Sequence, residues 1–266
     1  MLRLSEINLY PIKSAGQIRV ESAEVEARGL AFDRRWMLID GNNRFLTQRQ
    51  HPHMALLSVR IERNFLLVSA PEMETLVVPF GFARAETAEV AIWKDRCTAS
   101  VLPEPVNDWF SRYMGFPCRL VYMDEDQIRG VDPAYAQAGD TVGFADGFPL
   151  LLISEASLED LNGRLVQPVS MRQFRPNLVI AGGTAFQEDS WRRIRIGDCE
   201  FELVKPCSRC VLTTVDPERG VAHPGREPLK TLMSYRSTSA GVMFGQNVIA
   251  RRLGTIRAGD AVEVLA

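Results

Sequence analysis

Nowhere in the 266 residues do 18 apolar side chains run together, and the longest apolar stretch, Phe148 to Ile153, is strand-sized. No segment therefore matches the roughly 20 apolar residues a membrane-crossing helix needs. The opening Met-Leu-Arg-Leu-Ser-Glu-Ile spreads charge through its first positions and has no apolar signal core. Cysteine is sparse and odd in number: Cys97, Cys118, Cys199, Cys207 and Cys210, at irregular spacing. That is unlike a secreted disulfide framework, so reduced thiols and a cytoplasmic location are expected. Positive charge is not in surplus either, with 31 basic against 33 acidic residues and a net charge of −2. Such a chain offers no bulk field to nucleic acid or anionic membrane, and any anion site has to be local. No G-x-G-x-x-G follows a strand pattern and no Walker loop occurs, which leaves nicotinamide and nucleotide folds unsupported. The three histidines, His51, His53 and His223, fall in loop-like sequence without a nucleophile elbow, so a Ser-His-Asp hydrolase is not suggested.

What is present is a core's worth of apolar residues, 46% of the chain, patterned mostly as short strands. Leu2 and Leu4, then Ile7 and Leu9, alternate with polar neighbours across a one-residue slip that predicts a bulge or bend. Trp36 to Asp40 and Arg44 to Gln48 flank Gly41-Asn-Asn43 and read as a hairpin. Ile194-Arg-Ile-Gly-Asp198 and Ile256-Arg-Ala-Gly-Asp260 read as two tight β-turns of the kind found in small barrels. Helices are few. Val106, Trp109, Phe110 and Tyr113 fall at i, i+3, i+4 and i+7, and the pattern ends at Gly115. Ser154 is a suitable N-cap for a second helix from Glu155 to Leu165. Residues 123–140 read as a boundary loop or a mobile lid. The expected fold is a β-rich α+β protein with lobes 1–121 and 122–266, an early strand being free to cross into the later lobe.

Two constellations carry chemistry. In Lys205-Pro-Cys-Ser-Arg-Cys210, Cys207 and Cys210 form a C-x-x-C. Structural zinc needs four ligands, and no second pair is present. A thioredoxin-type site needs a strand-to-helix turn, whereas an apolar, β-branched run follows here. Burial of both thiols as small hydrophobes is the plain alternative. A single thiolate at Cys210, favoured by the adjacent Arg209, suits a transition metal whose other ligands come from a cofactor. The second constellation is cationic. Lys13 and Ser14 sit where an early strand breaks, Arg34 lies in Asp33-Arg-Arg-Trp36, and Arg175 precedes a proline that favours extended backbone. Together they are the chemistry of a phosphate or pyrophosphate pocket. The plain alternative is solvated charge with Asp33 pairing Arg35. His51 and His53 are weaker metal candidates, Asp216-Pro217 reads as a turn, and Phe244-Gly-Gln-Asn247 reads as an exposed turn presenting amide donors.

The ordered motifs Tyr10-Pro-Ile-Lys-Ser14, Gly29-Leu-Ala-Phe-Asp-Arg34, Thr47-Gln-Arg-Gln50, Phe174-Arg-Pro-Asn177, Glu188-Asp-Ser-Trp191, Cys207-Ser-Arg-Cys-Val-Leu-Thr-Thr-Val-Asp-Pro217 and Phe244-Gly-Gln-Asn247 span the chain. They resemble the MOSC superfamily, in the branch with a MOSC N-terminal β-barrel domain that includes the mitochondrial amidoxime reducing component and bacterial relatives. The resemblance implies a MOSC N-terminal β-barrel domain over 1–121, its first strands being free to pack with the second lobe, and a MOSC β-barrel over 122–266. It implies a molybdenum cofactor, a molybdopterin whose metal takes one protein thiolate, here Cys210. Ser208 and Arg209 are then pocket neighbours. Lys13, Ser14, Arg34 and Arg175 hold the pterin and its phosphate, and Asn247 and the stretch Asp146 to Phe148 are further contacts. The implied activity is reduction of N-hydroxylated compounds, such as hydroxylamines, amidoximes and N-hydroxylated bases. Bacterial relatives often append a ferredoxin-like domain, and this sequence contains no iron–sulfur cysteine cluster, so a separate ferredoxin or flavin reductase type of protein is the expected electron donor. The alternative, known for other MOSC domains, is sulfur transfer through a persulfide on Cys210; a noncatalytic carrier of molybdopterin is a third reading.

Overall fold

The computed structural model describes residues 1–266. Strand residues outnumber helical ones, 40% against 16%, so the β-rich α+β expectation holds. The largest sheet runs, in spatial order, through Ile18–Val20, Arg3–Leu9, Leu178–Ala181, Leu150–Ser154, Gly241–Arg252, Cys199–Arg209, Arg193–Ile196 and Val262–Val264. It then curls back on itself, for Leu4 N donates to Asp260 O at 2.9 Å and Val262 N to Leu2 O at 3.1 Å. The interior of this barrel is filled by fully buried Leu4, Ile7, Leu152, Ile180, Ile194, Phe201 and Val248. The slip in the first strand is a register shift between Leu4 and Glu6, which returns Ile7 to the inner face.

One neighbouring pair in this sheet is parallel, Leu150–Ser154 with Leu178–Ala181, and its crossover carries the helix Glu155–Asn162. Ser154 caps that helix by accepting from Ser157 N at 3.1 Å. Buried Glu188 clamps the same turn, accepting from Ser154 Oγ at 2.9 Å and Ser157 Oγ at 2.7 Å. The helix stops at Asn162 with Gly163 as its cap, three residues short of the expected Leu165; of Leu158, Leu161 and Leu165, only Leu161 is fully buried.

Two further sheets, made wholly of residues before 123, build the N-terminal side. Trp36–Ile39, Arg119–Tyr122, Asp95–Val101 and Thr87–Ile92 form a four-stranded sheet, and Ser58–Ile61, Phe65–Ser69 and Leu76–Pro79 a three-stranded one. The helix Glu104–Met114 buries Val106, Trp109 and Phe110, then ends at Gly115, whose φ of 78° suits a residue without Cβ. The hairpin expected over Trp36–Gln48 forms as a short one, with the bridge Ile39 to Phe45, Asp40 N donating to Arg44 O at 2.9 Å and Leu46 N to Leu38 O at 2.8 Å, while the other edge of Trp36–Ile39 pairs with Arg119–Tyr122. Gly197-Asp198 does turn Arg193–Ile196 into Cys199–Arg209. The turn at Gly259 joins strands that find other partners: Gly254–Arg257 lies against Ser22–Glu26, and Val262–Val264 against Arg193–Ile196.

The early strand does cross over, since Arg3–Leu9 is part of the barrel sheet. The segment 123–140 is irregular but pinned, for buried Arg129 donates to the carbonyls of Gly143 at 2.9 Å, Ala145 at 2.6 Å and Asp146 at 3.0 Å. Phe244-Gly-Gln-Asn247 is not an exposed turn: it lies inside the strand Gly241–Arg252, with Phe244 and Gln246 buried. Gly245, at a φ of 82°, lets this strand approach so closely that a Cβ would stand 2.8 Å from the Leu152 carbonyl oxygen. No helix is long and apolar enough to cross a membrane.

Candidate functional site

Strand ends and loops from both sides of the molecule meet at one cavity of about 350 Å³. The long strand Cys199–Arg209 supplies Lys205, Ser208 and Arg209 and delivers Cys210 at its end, where a short 3-10 turn, Val211–Thr214, begins. Asn247 lies opposite Lys205 on the neighbouring strand. From the N-terminal side come Lys13, Ser14 and Arg34, and from the loop before Leu178–Ala181 comes Arg175. All eight residues singled out in the sequence line this cavity. Three of them, Ser14, Arg34 and Arg175, have φ between 46° and 66°, a left-handed conformation that non-glycine residues rarely hold without tertiary constraint. For Arg175 this corrects the expectation of extended backbone before Pro176. Its turn is fixed instead by long-range contacts, the guanidinium donating to Ala15 O at 2.5 Å and lying 4.2 Å from the Tyr10 ring centroid.

The cavity wall is dominated by one sign of charge. Six cationic side chains line it, Lys13, Arg34, Arg49, Arg175, Lys205 and Arg209, against one carboxylate, Asp146. A chain of net charge −2 has thus concentrated cations where early and late segments of the chain meet. Two of them pack on the Tyr10 ring, the Arg34 guanidinium 4.3 Å and the Arg175 guanidinium 4.2 Å from its centroid. Asp33 pairs with Arg34 at 2.5 Å rather than with Arg35, whose partners are Glu125 at 2.5 Å and Glu26 at 3.7 Å. Asn177 accepts from Arg34 at 2.8 Å. Lys13 donates to Asp146 at 2.5 Å and to Phe144 O at 2.7 Å. Burial pushes the Lys13 ammonium down to about 8 even though Asp146 opposes the shift. Burial also lowers Arg175 to about 10. Burial alone would raise Asp146, but Lys13 and Arg49 hold its carboxyl well below the usual carboxylate range. These cations are held together at a cost that an anion in the cavity relieves.

Arg209 does not contact Cys210, contrary to what sequence adjacency suggests. Side chains two apart share a strand face, and the Arg209 guanidinium donates to Cys207 at 3.0 Å and to Phe174 O at 2.7 Å. The cation on Cys210 is Arg49, whose Nε lies 3.2 Å from Sγ while its Nη2 donates to Asp146 at 2.7 Å. Arg49 sits in the Thr47-Gln-Arg-Gln50 motif with nothing in its local pattern to reveal this role; only the fold brings it across 161 positions to Cys210. Lys205 was legible as part of the cysteine segment, but not as a wall residue. His51 and His53 lie outside the cavity, and their rings are 6.1 Å apart.

A phosphate-bearing metal cofactor fits what is here. No group of three or more His, Cys, Asp or Glu side chains converges, so a metal at Cys210 has to bring its remaining ligands from outside the protein. Arg209 Nε is buried without a partner, an orphan donor in a cationic cavity. The fold and this site define a β-rich barrel protein in which six cationic side chains and one thiol face a single cavity. Residues 1–117 match the MOSC N-terminal beta barrel domain and residues 139–263 the MOSC domain, and the chain belongs to the MOSC family. It is similar to the mitochondrial amidoxime reducing component 2 of Rattus norvegicus, at 34% identity over 97% of this chain and 82% of that protein. Mitochondrial amidoxime-reducing component 1 is 36% identical in Mus musculus and 35% in Homo sapiens, each over 98% of this chain and 82% of the relative.

Proposed function

We propose that this protein is a molybdenum-cofactor-dependent oxidoreductase that reduces N-hydroxylated compounds. The observation that carries the reading is the convergence of Cys210 and six cationic side chains on one cavity. Similarity to proteins named for amidoxime reduction supports the reaction class. In this reading Cys210 supplies the thiolate ligand, and Lys13, Ser14, Arg34, Arg175, Ser208, Arg209 and Asn247 hold the pterin and its phosphate. When bound, the cofactor supplies the two-electron chemistry of N–O cleavage. The balance is R=N–OH plus two electrons and two protons giving R=NH and water, with the electrons delivered by a separate donor protein. Arg49 donates its Nε–H to Cys210, which orients the sulfur and draws off part of its charge. A cytoplasmic location belongs to the same proposal, supported by five unpaired cysteines.

The test is molybdenum content and benzamidoxime reduction for protein produced with cofactor synthesis intact, beside Cys210→Ala. Near-stoichiometric metal in the parent, with activity falling at least about a hundredfold in the variant, is the expected result. Cys210→Ala retaining both metal and activity overturns the assignment. Persulfide on Cys210 in a parent free of molybdenum would instead support sulfur transfer.

A further inference from the structure

We propose that a second cleft, walled by Trp93, Phe45, His51 and Phe116, receives the planar aryl part of the N-hydroxylated substrate, with Trp93 as the specificity-determining residue. This rests on the N-reductive reading and extends it to a substrate class. The cleft, about 700 Å³, is of small-molecule size. It adjoins the cationic cavity through a shared wall, because Arg49 lines both. The Arg49 guanidinium lies 4.8 Å from the Trp93 ring centroid while its Nε is 3.2 Å from Cys210 Sγ. Phe45 lines the cleft only, but it touches the neighbouring cavity through Lys13: Trp93 stands edge-on to it at 5.0 Å, and the Lys13 ammonium is 5.0 Å from its centroid. A ring held in the cleft is thus one side chain away from the thiol.

Trp93 itself is hard to explain as packing. It is 55% exposed, although a tryptophan's usual contribution is the large area it buries. It also stands at the first position of the two-residue loop between Thr87–Ile92 and Asp95–Val101, with a φ of 55°. Glycine is the usual occupant of a positive-φ position in so short a hairpin loop, and a bulky side chain there carries a conformational cost. The neighbours reinforce an aromatic lining, for His51 lies 5.0 Å from Phe116. The acidic group in the cleft is already engaged: Asp40 accepts from Asn42 N at 2.8 Å and Arg44 N at 2.9 Å. Beside the cations Arg44 and Arg49 and the polar Thr47 and Gln50, the cleft offers ring faces rather than a free carboxylate, and a flat ring gains more from them than an alkyl chain does.

The experiment compares benzamidoxime with acetamidoxime on the cofactor-loaded parent, Trp93→Ala and Trp93→Phe, at matched molybdenum content. Trp93→Ala is expected to raise KM for benzamidoxime about tenfold while leaving kcat/KM for acetamidoxime within about twofold, and Trp93→Phe to recover most of the loss. Equal losses on both substrates, or no change on either, overturn the proposal. If the parent reduces neither compound, the N-reductive reading fails, and the cleft is then judged by binding alone. Benzamidoxime should quench tryptophan emission in the parent and leave Trp93→Phe without that saturable signal; no difference between the two proteins overturns the cleft assignment.

Discussion

Lys13 shows how a single side chain is tuned by what surrounds it. Its ammonium is buried between the Asp146 carboxylate and the Phe144 carbonyl, with Arg49 and Arg129 adding repulsion, and burial brings it down to about 8. The charged form is therefore present below about pH 8 and lost above it. An anion that needs this charge binds less well as pH rises through that value. Sulfate is a suitable probe because its own charge is constant over the range. Its affinity for the cofactor-free protein should fall between pH 7 and 9.5, with a slope approaching tenfold per pH unit on the alkaline side. Calorimetric titration of the parent beside Lys13→Met checks this, and the variant should bind weakly with no step near pH 8. A parent affinity that stays flat across the range would mean that Lys13 does not face the anion. Arg49 and Arg209 make the complementary point. Adjacency in sequence nominated Arg209 as the partner of Cys210, yet strand alternation turned it toward Cys207 and left the position to Arg49.

At the scale of elements, the strand Gly241–Arg252 links core to site. It pairs with Leu150–Ser154 on one side and with Cys199–Arg209 on the other, so its position sets where Asn247 and Lys205 stand. Gly245 is what lets it lie so close to Leu152 and Ile153. Gly245→Ala should destabilise the fold by about 2–4 kcal/mol, from a left-handed φ combined with overlap against backbone that cannot swing away. Urea unfolding checks this, and a loss within about 0.5 kcal/mol would show that the strands slide apart freely. This position also marks the limit of what local sequence reveals. Phe-Gly-Gln-Asn has the composition of a turn, and only the facing strand shows that the glycine serves close approach. The helix Glu104–Met114, the cap at Ser154 and the bulge near Leu4 were legible because each depends on neighbours within a few residues. The short hairpin over Trp36–Gln48 was legible in its turn, whereas the partner on the other edge of Trp36–Ile39, Arg119–Tyr122, lies about 80 residues away and leaves no local signal. The eight site residues were legible as chemistry, through charge, a thiol and ordered motifs. Their convergence on one cavity, and the membership of Arg49, depend on the fold.

For the whole molecule, strand pairings cross the expected division into 1–121 and 122–266 and leave neither part self-sufficient. Arg3–Leu9 occupies the edge of Leu178–Ala181, and Leu4 and Ile7 fill the barrel core beside Ile180. Ser22–Glu26 pairs with Gly254–Arg257. Removing the first 26 residues leaves a buried strand edge unpaired and an apolar interior open to water, the combination that leads chains to associate edge to edge. Residues 122–266 produced alone should therefore lack a cooperative thermal transition and aggregate. Supplying residues 1–121 as a separate chain should restore both the transition and the cationic cavity, since Lys13, Arg34 and Arg49 come from one piece and Arg175 and Cys210 from the other. Calorimetry and sulfate binding on the mixed halves measure the two consequences separately. A sharp, reversible transition in 122–266 by itself would show that the barrel closes without its first strand, and that the N-terminal lobe is needed only to complete the cavity.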